Sequence, residues 1–325
     1  MTLVQLLDQF DSPERSIVVV NRTDPDPVLN MLADTFGEGG VDVTDGTLSS
    51  DGGAAESSRA GARSDRITGG RGISSERLTI RSEAAGEGPV IDVDALRRND
   101  AVPFDGEDPE QVENLALLVE GDEVVAGSTL DDLGDAVLFV NSDLYVTGSR
   151  TLEDVDLPSV IRGLDDTTFT LRGYPESNRE KLLLITISRF IERAAWTAGD
   201  GTLRSSFQRL SRIDDEVGTR DVYESVVDAG VDAHLYGVPD DLPHGLDAVI
   251  HGGDSPDFTD SWFVVYRPPE GPHSVEDDPD SGLQRGVEGG VGLLAVETEP
   301  RVWRGTWTFD ATRLRKLNRY IERNL

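Results

Sequence analysis

The chain has 325 residues, enough for one large domain or two ordinary ones, and carries 62 Asp and Glu against 30 Lys and Arg, for a net charge of −32. Only Lys181 and Lys316 are lysines. A carboxylate excess with so little lysine suits a protein hydrated in concentrated salt, where screening lengths fall to about 3 Å, so the acid excess reports an extreme halophile's habitat before it reports a partner. With no cysteine, disulfides, thiolate metal sites and cysteine nucleophiles are excluded.

The opening MTLVQLLDQFDSPERS lacks a basic segment followed by an apolar run, and no apolar stretch approaches the roughly 20 residues of a membrane span. The expectation is a soluble, cytoplasmic protein. Residues 3 to 36 read as helix, strand and helix: Ile17 to Val20 is a β-branched run, and Val28, Leu29, Leu32 and Phe36 follow at helical spacing. From Gly37 to about Pro109 Gly, Ser, Asp and Arg dominate without a sustained apolar face, so residues 37–111 are expected to be a mostly disordered insert. Within it, Arg59 to Arg81 holds six arginines against Asp65 and Glu76, which reads as a solvated linker more readily than as a nucleic-acid arm. LALLVEGDEVVAGS then predicts a hairpin about Gly121-Asp122, and AVLFVNSDLYVTG (136–148) predicts another strand pair. Residues 1–36 and 112–150 are thus expected to form one small α/β portion.

A well-marked helix opens the second half. Ser177 and Glu180 fit a capping box, Leu183, Ile187, Phe190, Ile191 and Ala194 recur at helical spacing, and Gly199 is a stop. Thr219 is expected to cap a second helix that carries Val222, Tyr223, Val226 and Val227 and ends at Gly230. Strands follow at 231–238, 247–252, 261–266, 292–297 and 301–309, then an acidic loop is read at 268–290 and a final helix from Ala311. The fold class expected is α/β, with a mixed sheet of about four to five strands and flanking helices in residues 155–325.

Motif chemistry is sparse. There is no P-loop, no G-x-S-x-G elbow and no complete dinucleotide fingerprint, since GGVG at 289–292 runs into a strand. DDPDSGLQRGVE places Gly282 and Glu288 at EF-hand-like spacing, but Pro279 occupies a ligand position, so no metal site is expected. His234 alternates with Asp232 and Tyr236, either as a hydrogen-bonded face residue or as part of a site, and the first reading is preferred, as it is for His251. Trp262 shares a strand face with Val264 and Tyr266, and Trp303 shares another with Gly305, Trp307 and Phe309. The gap at Gly305 could admit a flat ligand or a neighbouring backbone, and the alternative is an aromatic core. On the last helix Leu314, Leu317, Tyr320 and Ile321 take one side and Arg315, Lys316, Arg319 and Arg323 the other, where they either complement the helix dipole or dock an acidic partner.

Residues 201–213, GTLRSSFQRLSRI, hold Arg204, Arg209 and Arg212 and no acid. A strand is favoured over a helix, feeding a βαβ unit through the 219 helix to the 231–238 strand. Gln208 and the arginines would then line the sheet or its end, where α/β folds bind ligands.

Five segments in order, SRFIERAAW (188–196), GDGTLRSSFQRLSRI (199–213), DVYESVVDAGVDAHLYGVPDD (221–241), SWFVVY (261–266) and RGTWTFD (304–310), resemble the DICT sensory domain, particularly its stand-alone halophilic archaeal form. The resemblance covers about 155–325, and more loosely the first 36 residues and 112–150. It implies an α/β fold about a four-stranded sheet and a sensory role, with light response among the suggestions; such domains accompany diguanylate cyclase, phosphodiesterase and two-component modules. It carries over no ligand and no catalytic residue.

The leading expectation is a non-enzymatic sensory or regulatory protein that binds a small ligand or chromophore and signals through a two-component or transcriptional partner, with the cofactor unknown. The candidate ligand residues are Arg204, Phe207, Gln208, Arg209, Arg212, His234, Trp262, Trp303 and Trp307. The alternatives are a nucleic-acid-binding regulator using Arg59 to Arg81 or the last helix, and an enzyme acting through His234, Asp232 or the Arg204–Arg212 group.

Overall fold

The computed structural model describes residues 1–23, 27–49, 89–99, 102, 108–136, 152–172, 178–215, 218–269 and 289–325. The strand pair expected at 136–148, the capping box at Ser177, the EF-hand-like spacing, nearly all of the acidic loop at 268–290 and the Arg59–Arg81 run lie outside the described residues.

Near-continuous apolar runs, buried on both faces, build the central strands of two main sheets. In the smaller one, β1 (Arg15–Val20) pairs in parallel with β2 (Asp42–Asp45) and antiparallel with β5 (Leu115–Glu120), which turns at Gly121 into β6 (Glu123–Thr129). The predicted hairpin is therefore present, and it pairs with β1. Two short strands, β3 (Thr47–Ser49) and β4 (Val90–Asp92), pair in parallel, and a short helix α3 (Val93–Leu96) follows β4. These elements, and β2, fall inside the 37–111 stretch read as an insert.

The larger sheet is mixed and has seven strands rather than the four to five expected. Its order is β10 (Val249–Gly252), β9 (Asp232–Val238), β8 (Thr202–Arg209), β11 (Ser261–Arg267), β12 (Val291–Glu299), β13 (Val302–Thr308) and β7 (Phe169–Arg172). The strand absent from the sequence reading is β7, a four-residue edge strand. β8 to β10 run parallel to one another and the rest are antiparallel.

Helix α6 (Asn178–Ala198) covers one face of this sheet, and its chain turns through Gly199 and Gly201, both at positive φ, into β8. β8, helix α8 (Thr219–Asp228) and β9 form the expected βαβ unit, with Leu203 opposite Ala233. Thr219 is the first helical residue and not the cap, which is Gly218. Its hydroxyl is used instead by Arg189, whose Nη2 donates to Thr219 Oγ1 at 3.1 Å. Arg189 also bonds Glu192 one turn on, and the Tyr223 hydroxyl donates to Glu192 Oε1 at 2.9 Å. All four side chains are buried between α6 and α8. Burial, and then the Glu192 charge, hold the Tyr223 hydroxyl well above its ordinary pKa, so it stays a donor.

The opposite face is covered by α1 (Leu3–Leu7) and α10 (Ala311–Asn324): Leu3, Leu6 and Leu7 pack with Tyr236, Phe263, Leu294, Leu314, Leu317 and Ile321. α1 therefore belongs with the larger sheet rather than with an N-terminal portion. The two main sheets also share one core, in which Ile17, Phe36, Ala116 and Leu118 join Ile187, Phe190, Leu293 and Trp307. At its centre the rings of Phe36, Phe169 and Trp307 lie 6.0 to 6.2 Å apart.

Two stability outcomes follow from this packing. Glu192→Ala leaves Arg189 buried without its carboxylate and should lower the unfolding free energy by about 3–5 kcal/mol in urea titrations, whereas replacing Arg189 and Glu192 together by methionine should cost less. Gly305→Ala drives a methyl group into the Phe169 ring and to within 2.7 Å of the Leu294 carbonyl oxygen. It should cost about 1–3 kcal/mol and lower the melting temperature measurably.

Candidate functional site

Strand β8 is the switch point of the larger sheet: it pairs in parallel with β9 on one side and antiparallel with β11 on the other. Its register with β9 breaks between Ser206 and Arg209, where Gln208 adopts φ 55°, a left-handed conformation that a non-glycine residue adopts at a cost. This bulge turns the chain end. The buried Gln208 amide donates to the Ser261 carbonyl at the start of β11, and Arg212 donates to Gln208 Oε1.

Gln208, Arg209 and Arg212 thus line one cleft of about 230 Å³, together with Val238, Thr259, Glu297 and Trp303. It lies at the carboxyl ends of β8, β9 and β12, the region where α/β sheets place ligands. Arg209 bonds Asp240 at 3.2 Å, and Asp240 also accepts from the Ser211 amide and hydroxyl at 3.1 and 3.0 Å. Partial desolvation pushes the Asp240 carboxyl up, but the Ser211 and Arg209 bonds outweigh it and bring it down to about 2. That carboxylate is committed to holding the β9 end against the 209–211 turn. Arg212 differs, because among the described residues no carboxylate pairs with it. The cleft offers a guanidinium with most of its donors uncommitted, beside an indole wall.

Arg204 is not part of this cleft. It points to the opposite face and is buried beneath α10, donating to Asn318 Oδ1 at 3.0 Å, to the Tyr236 hydroxyl at 2.8 Å and to Glu322 Oε1 at 2.9 Å. His234 neighbours this anchor. Its Nε2 lies 3.0 Å from Asp232 Oδ2 and its Nδ1 lies 2.8 Å from His251 Nε2, while the His251 ring stacks on Tyr236 at 4.3 Å. A 2.8 Å contact between ring nitrogens needs one donor and one acceptor, so both rings cannot be doubly protonated while it persists. Burial, then His234 and Arg204, lower the His251 pKa; burial raises that of Tyr236 against the pull of Arg204.

The remaining aromatic candidates pack against or within the core, Phe207 and Trp262 partly buried and Trp307 wholly so. Phe207 meets Tyr223 edge-on at 5.3 Å, and Trp262 Nε1 donates to Ser188 Oγ of α6 at 3.0 Å. Trp307 is fully buried, and the space over Gly305 is filled by Phe169 from β7, which leaves no room there for a flat ligand. Of the nine candidates the fold gathers Gln208, Arg209, Arg212 and Trp303. Sequence reasoning missed Val238, Thr259 and Glu297, which come from a strand end, the four-residue helix α9 (Pro256–Thr259) and another strand end. None of the three carries a local signal. Arg315, Lys316, Arg319 and Arg323 stand together on the exposed side of α10.

No family model and no curated protein matches the chain. Among the described residues no helix is long and apolar enough to cross a membrane, and no group of three or more His, Asp or Glu could hold a metal ion.

The His234–His251 contact has a pH consequence. A histidine whose folded pKa lies below its unfolded value binds protons more readily when unfolded, so its contribution is present above the ordinary value of 6.5 and is lost as pH falls through the window beneath it. The melting-temperature advantage of the wild type over His251→Phe should therefore shrink from about pH 7.5 to about pH 5.5, measured by calorimetry in matched salt.

Proposed function

We propose that this chain is a non-enzymatic sensory or regulatory module that takes a small anionic ligand in the cleft at the end of β8 and acts through a protein partner. The observation that carries the reading is Arg212. In a chain with 62 acidic residues it lines a cleft at the sheet's switch point with no carboxylate partner among the described residues, held by a bulge that keeps Gln208 at φ 55°. Nothing in ordinary packing calls for that arrangement, whereas an anionic group would complete it. The resemblance of the GTLRSSFQRLSRI segment to the DICT domain supports a sensory role. The residues lining the cleft include one carboxylate, Glu297, and no histidine or tyrosine, a poor set for acid–base chemistry.

Thermal-shift titrations in high potassium chloride test this with inorganic phosphate, mononucleotides, flavin mononucleotide and dicarboxylates, beside an absorption and native mass spectrum of the protein as isolated. At least one anion should stabilise the wild type, by about 2.7 kcal/mol at a hundredfold excess over Kd, and the Arg209→Ala/Arg212→Ala variant should lose that gain. A flat response to every anion, with a clean spectrum, overturns the reading.

A further inference from the structure

The four cations of α10 are the strongest feature that the ligand cleft leaves unused. Many of the other described arginines sit on carboxylates: Arg15 on Glu120, Arg97 on Asp108, Arg189 on Glu192, Arg204 on Glu322, Arg220 on Glu224. Arg315, Lys316, Arg319 and Arg323 do not. Arg315 bonds only the Thr312 hydroxyl, at 3.3 Å, and among the described residues no carboxylate pairs with any of the four. With acids twice as numerous as bases, four adjacent unpaired cations are not what a random surface provides.

These cations border a groove of about 580 Å³ between α1 and α10, walled on the other side by Met1, Leu6 and Gln9, with Tyr320 also lining it. Met1 is 64% exposed, the largest value among the exposed large hydrophobic residues described. The groove therefore joins an apolar strip to a cationic edge about 12 Å long, from the 1.5 Å rise per residue between positions 315 and 323. Its floor is rigid: the Tyr320 hydroxyl bonds Asp257 and the Met1 carbonyl, and Asp310 caps the start of α10 through the amides of Thr312 and Arg313.

We infer that this groove docks an acidic amphipathic segment of a partner protein, with carboxylates about one helical turn apart on Lys316, Arg319 and Arg323 and an apolar side chain against the exposed Met1. Charge complementarity selects acid, and the apolar strip selects a polypeptide. A nucleic acid fits less well. A duplex presents one charge per roughly 1.7 Å, far more than four cations neutralise, and the remainder would face a chain of net charge −32 while the apolar wall stayed unused. The inference rests on the proposed regulatory reading only for the need of a partner; peptide binding requires nothing of Arg212, so the two can fail separately.

The test is fluorescence anisotropy with a labelled synthetic helix of about five turns bearing glutamates at i, i+3, i+4 and i+7 beside a leucine stripe. The full chain should bind it, more weakly as potassium chloride rises from about 0.2 M to about 2 M. Lys316→Glu/Arg319→Glu should weaken binding about tenfold or more, while Arg209→Ala/Arg212→Ala binds as the wild type does. Both reversed residues are exposed and have no carboxylate partner among the described residues, so circular dichroism and melting should match the wild type. Should that variant fail to fold, hydrogen exchange on the wild type decides: added peptide should protect residues 1–9 and 312–324. Equal binding by the charge-reversed variant, no protection at the groove, or tighter binding of an oligonucleotide or of anionic vesicles than of the peptide overturns the inference.

Discussion

The buried pair of Arg189 and Glu192 is the constraint on which the C-terminal half is organised. Two charges taken out of water repay their desolvation only where nearly every donor and acceptor finds a partner, and those partners come from another helix: Thr219 and Tyr223 of α8. The pair therefore fixes the rotation and height of α8 against α6. Because β8, α8 and β9 are one continuous βαβ unit, fixing α8 fixes the strand that enters it and the strand that leaves it. Phe207 of β8 then finds Tyr223 edge-on, and Trp262 of β11 finds Ser188 of α6. A loss of this pair would propagate into the central strands rather than stay local.

β8 carries different chemistry on each face and at its end. Ser205 and Phe207 turn toward α6 and α8. Arg204 turns toward α10 and is tied to Asn318 and Glu322, on the same helix that bears the cationic edge. Gln208 and Arg209 form its end and part of the cleft. The cost of the left-handed Gln208 is borne at the bulge, where pairing with β9 is already interrupted.

The helices at 178–198, 219–228 and 311–324 were legible from their helical spacing, and the 115–129 hairpin and the longer strands of the larger sheet from their apolar runs between turns. β7 was not read, yet its four residues close the core over Gly305. Thr219 looked like a cap because capping residues are recognised by type, while the fold spent its hydroxyl on a buried arginine. α1 was assigned to its sequence neighbours, although its leucines match the apolar side of a helix three hundred residues away. Gln208, Arg209 and Arg212 were visible in an acid-free run of arginines, and Trp303 as an aromatic on a strand face. Val238, Thr259 and Glu297 are ordinary residues made neighbours only by the tertiary fold.

What the sequence alone determined was local: periodicity set the elements, positive charge collected on 201–213 and on one side of the last helix, and glycines marked the turns. Those properties depend on residues within a few positions of one another. Tertiary structure decided the rest. It sent Arg204 to Glu322, 118 residues away, and Arg189 to Thr219, 30 residues away. It also split the three arginines of one motif between a buried anchor and an open cleft. The reason is geometric: alternation along a strand says that two side chains face opposite ways, but only the packed neighbours decide which face meets a helix and which end meets solvent.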